Sequence, residues 1–454
     1  MSTRPTAIDL FSGAGGFSQG LIWSDFDVLW ANDIESHCKH TYEHNHPDVE
    51  FACKDIRDID PKSLPVDTSD LDLVVGGPPC PTHSKIGRGK INSLTIERTG
   101  EEFADQNKSV GFEDSRDPAR ENLVLTDDRH YLFEDFIRFV SELQPRAFLM
   151  ENVPGMKSTV TESGENVVKR IKRKLRDMGY RVNIQELDAA GYGVPQRRHR
   201  LFFVGNRLDR ENPVMAEWIS HREPLTEKER NVKTIPTVDA NQSTLADHFE
   251  DGSESSFRSF QKDRKYLEPW VTVGDAILDL PPVSPDGTMP PTESTEYMIP
   301  PVTEYQKWVR DIVEDGRWDD MELHNHECRG HNLKDLTLYK LLGEGVGWEI
   351  DALAEEFHPY RSDVFRDQYK KDDPREPASI ILAHMQKDGH MSIHPREARS
   401  YTVREAARLQ SFKDSFKFPV PRSQALWQVG NAVPPLLAEA LVTAIRVDVL
   451  TDDE

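Results

Sequence analysis

The stretch Leu71-Asp-Leu-Val-Val-Gly-Gly-Pro-Pro-Cys80 constrains the fold of this chain more than any other. Its apolar start lacks regular polar alternation, which is typical of a strand buried on both faces of a parallel sheet. Two glycines then allow a sharp turn, and two prolines stiffen the exit. Cys80 is therefore predicted at the carboxyl end of a strand, where open α/β sheets bind their ligands. For a lone cysteine the alternative is a buried structural role.

A glycine-rich turn near the start of the chain has the same placement. Residues Thr6–Phe11 predict a first strand, and Ser12-Gly-Ala-Gly-Gly16 follows it before a helical pattern. Such a turn lets a ligand approach the backbone at a helix N-terminus. A second strand at 26–31 leads to Asp33, 20 residues beyond Gly13, where nucleotide-binding folds present an acid to ribose hydroxyls. Alone, this pattern fits a Rossmann dehydrogenase or any adenosine-binding protein.

Strands and helices continue to alternate as far as residue 206. We predict helices at 36–45, 130–143 and 163–179, and strands at 50–53, 146–150, 180–187 and 200–205. Glu151 and Asn152 follow one of these strands and repeat the placement of Cys80. Asp55 and Ile56 follow another, where they suit an adenine ring. The helix at 163–179 is basic, and either a solvated face or phosphate contacts would explain its charge.

Two loops carry cations. The segment from Pro81 to about Arg120 is long and polar, and it predicts either a lid over a substrate or a disordered insertion. The second loop, Gly191-Tyr-Gly-Val-Pro-Gln-Arg-Arg-His-Arg200, holds four cationic side chains that would be costly to bury unpaired. We expect phosphate or carboxylate partners for them, or the edge of a base.

The amino-acid composition changes after Asn206. Residues 207–390 are rich in Pro, Asp and Glu with weak periodicity, which predicts a second, irregular domain. Its His324-Asn-His-Glu-Cys-Arg-Gly-His331 run has irregular spacing, so we assign it no metal. Residues Tyr401–Phe412 predict a capped helix. A turn at Gly430-Asn431 is then expected before a proline-started C-terminal helix that closes the pocket of the first domain.

The net charge of the chain limits which partners it can bind and indicates the surroundings in which it works. Asp and Glu number 79 against 56 Lys and Arg, a formal net charge of −23. This opposes a polyanionic partner unless a basic cleft lies on an acidic body, and it also suits a protein working in concentrated salt. Four cysteines without a CxxC pair, no membrane span and no expected signal peptide predict a reducing, cytoplasmic setting.

Seven blocks in order resemble the DNA (cytosine-5) methyltransferase family, along most of the chain. They are Asp9-Leu-Phe-Ser-Gly-Ala-Gly-Gly16, Asn32-Asp-Ile-Glu35, Gly76-Gly-Pro-Pro-Cys80, Glu151-Asn-Val153, Gln196-Arg-Arg-His-Arg200, Arg408-Leu-Gln-Ser-Phe412 and Gly430-Asn-Ala-Val-Pro434. The resemblance implies a doubly wound, Rossmann-like α/β catalytic domain at 1–206, completed by 425–454. It also implies a smaller, irregular target-recognition domain at 207–424.

The resemblance implies a catalytic role for five residues. A Cys80 thiolate adds to carbon 6 of cytosine, which makes carbon 5 nucleophilic and splits one hard step into two easier ones. Glu151 protonates ring nitrogen 3. Arg200, with Arg198, holds the carbonyl oxygen of the base and the active-site acid, and Asn152 orients this network.

The methyl donor implied by the resemblance is S-adenosylmethionine. Phe11 packs on the adenine, and the turn that contains Gly13, Gly15 and Gly16 lies along the methionine portion. Asp33 binds the ribose hydroxyls, Asp55 the adenine amine and Ile56 the ring. The pocket is completed by Ile34, Pro79 and Asn431.

Double-stranded DNA is the implied substrate. The target cytosine must leave the duplex, and the loop after Cys80 closes behind it. The expected context is a restriction-modification or epigenetic marking system. A monomer is expected, with a possible partner restriction endonuclease.

One stretch departs from the family pattern. The family has Gln, a small residue, Phe and Ser after the cysteine, whereas this chain has Pro81-Thr-His-Ser84. Two alternatives remain open: the same chemistry on RNA, and a catalytically silent DNA-binding regulator.

Overall fold

The structure is a computed structural model that describes residues 4–79, 123–124, 131–161, 163–213, 215, 220–222, 268–283, 295–312, 321–342, 348–349, 369–387 and 389–451. The predicted lid at 81–120 and Cys80 itself lie outside these residues. Among the described helices, none is long and apolar enough to cross a lipid bilayer.

The central sheet has seven strands, as the sequence predicts. They are β1 (Thr6–Leu10), β2 (Asp27–Asp33), β3 (Glu50–Cys53), β4 (Leu73–Gly76), β5 (Ala147–Asn152), β6 (Arg181–Asp188) and β7 (His199–Asn206). Their order is β3-β2-β1-β4-β5-β7-β6. Strands β1 to β5 pair in parallel, and β7 runs antiparallel to both of its neighbours. The carboxyl ends of six strands, β1 to β6, therefore share one edge.

Helices cover both faces of this sheet. They are α1 (Gly16–Trp23), α2 (Ser36–Asn45), α3 (Leu132–Leu143) and α4 (Val167–Asp177), joined from the far end of the chain by α10 (Pro435–Ile445). Alternate residues of a strand point to opposite faces. Leu73 and Val75 accordingly pack with α1 and α10, whereas Val74 packs with α3 and α4. The predicted doubly wound α/β fold is confirmed.

A second core lies beside the sheet. Its helices are α5 (Val273–Ile277), α6 (Glu304–Val309), α8 (Val403–Leu409) and α9 (Arg422–Asn431). Helix α7 (Leu333–Leu341) packs in a small separate cluster. The described residues also form pairs of two-residue strands: His221–Arg222 with Glu268–Pro269, Thr295–Glu296 with Glu322–Leu323, Trp348–Glu349 with Lys370–Lys371, and Leu123–Val124 with Thr159–Val160.

Buried ion pairs hold helix α8 in the second core. Arg408 donates to Asp279 at 2.6 Å and, through two nitrogens at 2.9 and 2.6 Å, to Asp414. Both carboxylates and the guanidinium are almost fully buried. The helix begins with a capping box, in which Thr402 and Glu405 exchange hydrogen bonds. These contacts explain why a short, charged helix is stable in an apolar core, since buried charges must be paired.

Two local predictions are wrong. Phe11 does not extend the first strand, because its backbone adopts a left-handed conformation with φ 57°. Gly430 and Asn431 form no turn but end α9, and the extended residues Ala432 and Pro434 connect it to α10. Helix α9 belongs to the second core and α10 to the first. The predicted boundary at 424/425 falls within α9, and the domain division stays a prediction.

Candidate active site

The glycine-rich turn after β1 lies at the carboxyl edge of the sheet in a strained conformation. Phe11, Gly13 and Gly15 have positive φ angles of 57°, 56° and 97°. A positive φ is unusual for an aromatic residue, and such strain persists where the surroundings fix the backbone, often at functional sites. A Cβ built on Gly13 would meet no atom within 4 Å. The turn therefore leaves open space beside its backbone.

Asp33 joins this turn to the end of β2. Its two carboxylate oxygens accept hydrogen bonds from the backbone N–H groups of Gly13 and Glu35, both at 2.9 Å. Burial raises the pKa of Asp33 to about 6, although these two hydrogen bonds oppose the rise. The neighbouring Ile34 side chain is 60% exposed. An acid and an apolar side chain thus lie together at the strand end, as predicted.

The pair Asp55 and Ile56 follows β3. Asp55 caps a short 3-10 helix (Ile56–Asp58) and accepts hydrogen bonds from Arg57 Nε and a terminal guanidinium nitrogen. The hydrogen bonds from the Arg57 side chain lower the pKa of Asp55. Ile56 is buried in the core against α3 rather than exposed at the edge. The predicted adenine contacts of both residues stay a prediction.

The C-terminal segment closes on the turn. A Cβ built on Gly16 would lie 2.2 Å from the carbonyl oxygen of Val433, so only glycine fits this approach. Asn431, two residues earlier, has an exposed side chain. The structure thus brings residues near both ends of the chain together, as the sequence predicts.

Beneath the same turn lies a carboxylate to which the sequence reasoning gave no role. Asp9 is fully buried on β1, and its Oδ2 accepts hydrogen bonds from the backbone N–H and hydroxyl of Ser18 at 3.2 and 2.7 Å. Its Oδ1 has no hydrogen-bond partner among the described residues. Burial raises the pKa of Asp9 to about 7. A charged residue within an apolar strand was the available signal.

The turn that leads to Cys80 lies beside β5. Asn152 donates from Nδ2 to the carbonyl oxygen of Pro78 at 3.0 Å, while its Oδ1 accepts from the N–H of Val153. Pro79 is exposed at the edge. A Cβ on Gly77 would lie 3.2 Å from Glu151 Oε2. The ends of β4 and β5 therefore bring the prolines before Cys80 next to the carboxylate of Glu151.

Glu151 is paired with Arg200 across the β5–β7 ladder. Arg200 Nε lies 2.7 Å from Glu151 Oε1, and the two side chains are only 10% and 14% exposed. An ion pair this well buried holds both groups in one geometry. The predicted proximity of these two residues is therefore present in the structure.

The segment 196–200 alternates strictly between buried and exposed residues. Gln196, Arg198 and Arg200 are buried, whereas Arg197 and His199 are exposed. The prediction of anionic partners for all four cations is wrong for Arg198. It is 2% exposed and donates to the backbone carbonyls of residues 381 and 430, both at 3.0 Å.

Two buried glutamines strengthen this contact, and the sequence reasoning missed them. Gln196 Nε2 donates to the Leu409 carbonyl and to Gln410 Oε1, at 3.0 and 2.5 Å. Gln410 in turn donates to the carbonyls of Val429 and Ala432. The segment that bears Arg200 is thereby tied to α8 and α9. Nothing in the sequence pairs residues 214 positions apart.

Other predicted features make local contacts. On α4, Arg170 and Lys174 pair with Glu134 at 2.7 and 2.5 Å, which favours the solvated-face interpretation. His326 bonds Thr402 and the carbonyl of Pro281, and His331 bonds Ser400. Among the described residues, no group of three His, Cys, Asp or Glu side chains could hold a metal ion.

Comparison with known proteins identifies the family. The sequence model of the C-5 cytosine-specific DNA methylases matches residues 6–98 and 118–446. Type II methyltransferase M.AgeI of Thalassovita gelatinovora is 30% identical, with 97% of this chain and 99% of that protein aligned. Type II methyltransferase M.DdeI of Desulfomicrobium norvegicum is 29% identical, covering 96% and 88%.

Solved structures show the same fold. A prophage protein of E. coli, assigned as a DNA modification methyltransferase, superposes with a TM-score of 0.61 at 22% identity and covers 98% of this chain and 100% of its own. The methyltransferase EhMeth of Entamoeba histolytica gives 0.51 at 14% identity, covering 99% and 100%. The family match covers most of the sequence, and the sheet order agrees with it. The chain therefore belongs to the C-5 cytosine-specific DNA methylases and is a DNA (cytosine-5) methyltransferase.

Proposed function

We propose that this enzyme methylates cytosine in duplex DNA through a covalent bond between Cys80 and the flipped base. The observation that carries the proposal is the buried Glu151–Arg200 pair next to the Gly77–Pro79 turn. Cys80 follows Pro79 directly in the sequence, and Asn152 holds the preceding turn through the Pro78 carbonyl.

The roles of the residues follow from their chemistry. The Cys80 thiolate adds to carbon 6, and Glu151 donates a proton to ring nitrogen 3, which relieves the charge that the addition creates. Arg200 keeps Glu151 in place and has further N–H donors for the carbonyl oxygen of the base. Arg198 has one buried donor, Nε, without a partner among the described residues. That donor supports its predicted place beside the base.

S-adenosylmethionine is the methyl donor in this proposal, and it supplies an electrophilic methyl group. The residues at the carboxyl edge suit it on two counts. Asp33 presents a carboxylate beside the open space at Gly13. Asp9 holds a buried oxygen that has no hydrogen-bond partner in the part of the chain that the structure describes, which suits a cationic ligand. Phe11, Ile34, Gly15, Gly16, Pro79 and Asn431 would line the pocket, and Asp55 and Ile56 would contact the adenine.

The biological setting is also a proposal. Both relatives are named as type II methyltransferases, which supports a restriction-modification role for this chain, with a partner endonuclease. We assign residues 207–424 to target recognition and 1–206 with 425–454 to catalysis. A cytoplasmic monomer fits an enzyme that modifies cellular DNA.

Direct detection of the product tests the proposed function. The enzyme is incubated with unmethylated phage DNA and labelled methyl donor, and the digested DNA is analysed for 5-methylcytosine by mass spectrometry. We expect 5-methylcytosine at a recurring sequence, mapped by bisulfite sequencing. RNA is incubated in parallel, and the DNA reaction is repeated across a series of salt concentrations. The proposal would be overturned if the RNA became methylated while the DNA stayed unmodified at every salt concentration.

Substitution of the nucleophile tests the mechanism. Cys80→Ala should abolish methyl transfer and the covalent adduct with DNA containing 5-fluorocytosine, while binding of the methyl donor persists. Cys328→Ala is the matched control, because Cys328 is a buried free cysteine that is distant in sequence from the catalytic blocks. Turnover by the Cys80 variant would remove this residue from the mechanism.

A further inference from the structure

Arg197 differs in burial from the residues on either side of it. Its side chain is exposed, whereas Gln196 and Arg198 on either side are buried. Its backbone N–H donates to the carbonyl of Ala378 at 2.9 Å, in the segment that packs in the second core. Arg197 therefore lies where the catalytic sheet meets the second core, three residues before Arg200.

The guanidinium of Arg197 lies over the face of an aromatic ring. Its central carbon is 3.9 Å from the centroid of Trp270, which is only 4% exposed. Stacking on a fixed indole restricts the long side chain and leaves the N–H edge of the guanidinium free to meet a partner. The conformational entropy that a binding event would otherwise cost is thereby reduced in advance.

Among the described residues, Arg197 also lacks an anionic partner. Some surface cations on the catalytic domain do pair with carboxylates, such as Arg173 with Glu165 at 3.0 Å and Lys157 with Glu186 at 2.6 Å. Within the part of the chain that the structure describes, the Arg197 guanidinium has no hydrogen bond and no ion pair. With a net charge of −23, an unpaired arginine beside the active site is informative.

We propose that Arg197, held against Trp270, binds a backbone phosphate of the DNA next to the target cytosine. A guanidinium offers two parallel N–H donors that match the oxygens of a phosphate. Phosphate contacts fix the register of a protein on the duplex. At the junction of the catalytic and second cores, this register determines which base reaches Glu151. The inference rests on the proposed function, since it requires duplex DNA at this junction.

The salt dependence of DNA binding tests the proposal. A fluorescent duplex that carries the mapped target site is titrated with enzyme over about 50 to 200 mM KCl, and log K is plotted against log [KCl]. Loss of one phosphate contact should make the slope shallower by about 0.9 in Arg197→Ala. Arg197→Lys should keep the wild-type slope while binding more weakly, because it keeps the charge but loses the fork and the stacking.

Further variants separate this role from a structural one. Trp270→Leu should keep the slope and weaken binding about two- to fivefold, and Trp270→Phe, which keeps an aromatic face, should bind more tightly than the leucine variant. Arg197→Ala should raise the KM for DNA and leave the KM for the methyl donor unchanged. Arg173→Ala, which removes an exposed arginine that already has a carboxylate partner, is the control and should behave as wild type.

The outcomes are distinguishable. A wild-type slope in Arg197→Ala, in an enzyme that still binds and methylates the duplex, overturns the phosphate contact and leaves the proposed function intact. An equal change in the KM for the methyl donor also overturns it, because a phosphate contact acts on DNA alone. A wild-type enzyme that neither binds nor methylates duplex DNA would remove the proposed function, and this inference with it.

Discussion

Two carboxylates at the carboxyl edge of the sheet have different surroundings and suit different tasks. Glu151 is bound by the guanidinium of Arg200 at 2.7 Å. Among the described residues, Asp33 accepts hydrogen bonds from two backbone N–H groups, and its partial burial raises its pKa to about 6. An acid that is paired with arginine next to the Cys80 turn suits proton transfer to a base. An acid that is held by backbone groups beside the glycine turn suits ribose hydroxyls, provided that it is ionised.

Glu151→Gln should lower kcat while leaving cofactor binding intact. Glutamine keeps the shape but cannot transfer a proton, and positioned acid catalysis contributes about 10²- to 10⁴-fold. Single-turnover methyl transfer measures the change, and calorimetry with S-adenosylhomocysteine measures binding. Glu165→Gln, an ion-paired glutamate on the surface, is the matched control. Near-normal single-turnover rates in Glu151→Gln would contradict its role.

Cofactor affinity should fall as the pH drops through about 6, where Asp33 takes up a proton. Below that value, each further pH unit should weaken binding by about tenfold if a single ionised carboxylate is required. Folding stability should respond in the opposite direction. The folded pKa lies above the ordinary value of 3.8, so the contribution of Asp33 to stability is full below 3.8 and is lost as pH rises through about 6.

Asp33→Asn checks the origin of this pH dependence. At pH 8 its cofactor affinity should be about ten- to a hundredfold weaker, since hydrogen bonds to a charged group contribute roughly 1.5–3 kcal/mol. The step near pH 6 should disappear from its binding profile. Asp9→Asn should retain that step, because the pKa of Asp9 is raised to about 7. If the step near pH 6 persists in Asp33→Asn, another group is responsible.

At the scale of elements, helix α1 is placed by its contact with α10, from the opposite end of the chain. A Cβ on Gly20 would lie 2.6 Å from both Ala438 Cβ and the backbone nitrogen of Glu439. Ser24 adds a hydrogen bond to Thr443 at 2.8 Å. Because α1 begins at Gly16, this packing also sets the position of the cofactor turn.

Gly20→Ala should therefore destabilise the protein by about 1–2 kcal/mol. Alanine favours an isolated helix by up to about 1 kcal/mol, but overpacking a core costs roughly 1–3 kcal/mol. Urea unfolding measures the difference. Gly330→Ala is the control, because a Cβ there meets no atom within 4 Å. A stabilised Gly20→Ala would show that the two helices can separate without cost.

At the scale of the whole molecule, the acidic charge works against both folding and DNA binding. With a net charge of −23, the acidic side chains repel one another and also repel the phosphates of DNA. The ion pairs of Arg408 are buried, so solvent ions do not reach them. Salt screens the exposed charges, since the Debye length falls from about 10 Å at 0.1 M to about 3 Å at 1 M. It also weakens phosphate contacts.

The thermal midpoint of unfolding should rise between about 0.1 and 1 M KCl, because screening removes more repulsion than attraction in this acidic chain. Differential scanning calorimetry measures the midpoint, and methyl transfer in the same buffers should persist at molar salt. Sucrose at equal osmolarity controls for effects other than screening. A midpoint that stays flat or falls, with activity lost just above physiological salt, would contradict the high-salt interpretation.

Local sequence determined the sheet and most of the edge where ligands bind. Short stretches with buried apolar residues predicted all seven strands, because the pattern of burial along a strand depends on neighbouring residues. The same stretches placed Asp33, Glu151 and the turn before Cys80 at one edge, since parallel strands share their direction. Chemistry that follows a strand end is therefore readable from the sequence.

Only the tertiary structure decided which side chains meet across long separations. Arg198 donates hydrogen bonds to the carbonyl oxygens of residues 381 and 430, and Gln196 donates one to Gln410. These contacts form because the second core packs against the sheet and brings the segments together. Phe11 takes a left-handed backbone although its sequence continues a strand. Arg197 and Arg198 are adjacent arginines, yet one is exposed on Trp270 and the other is buried. Burial is a property of the assembled fold, so residue type alone could not separate them.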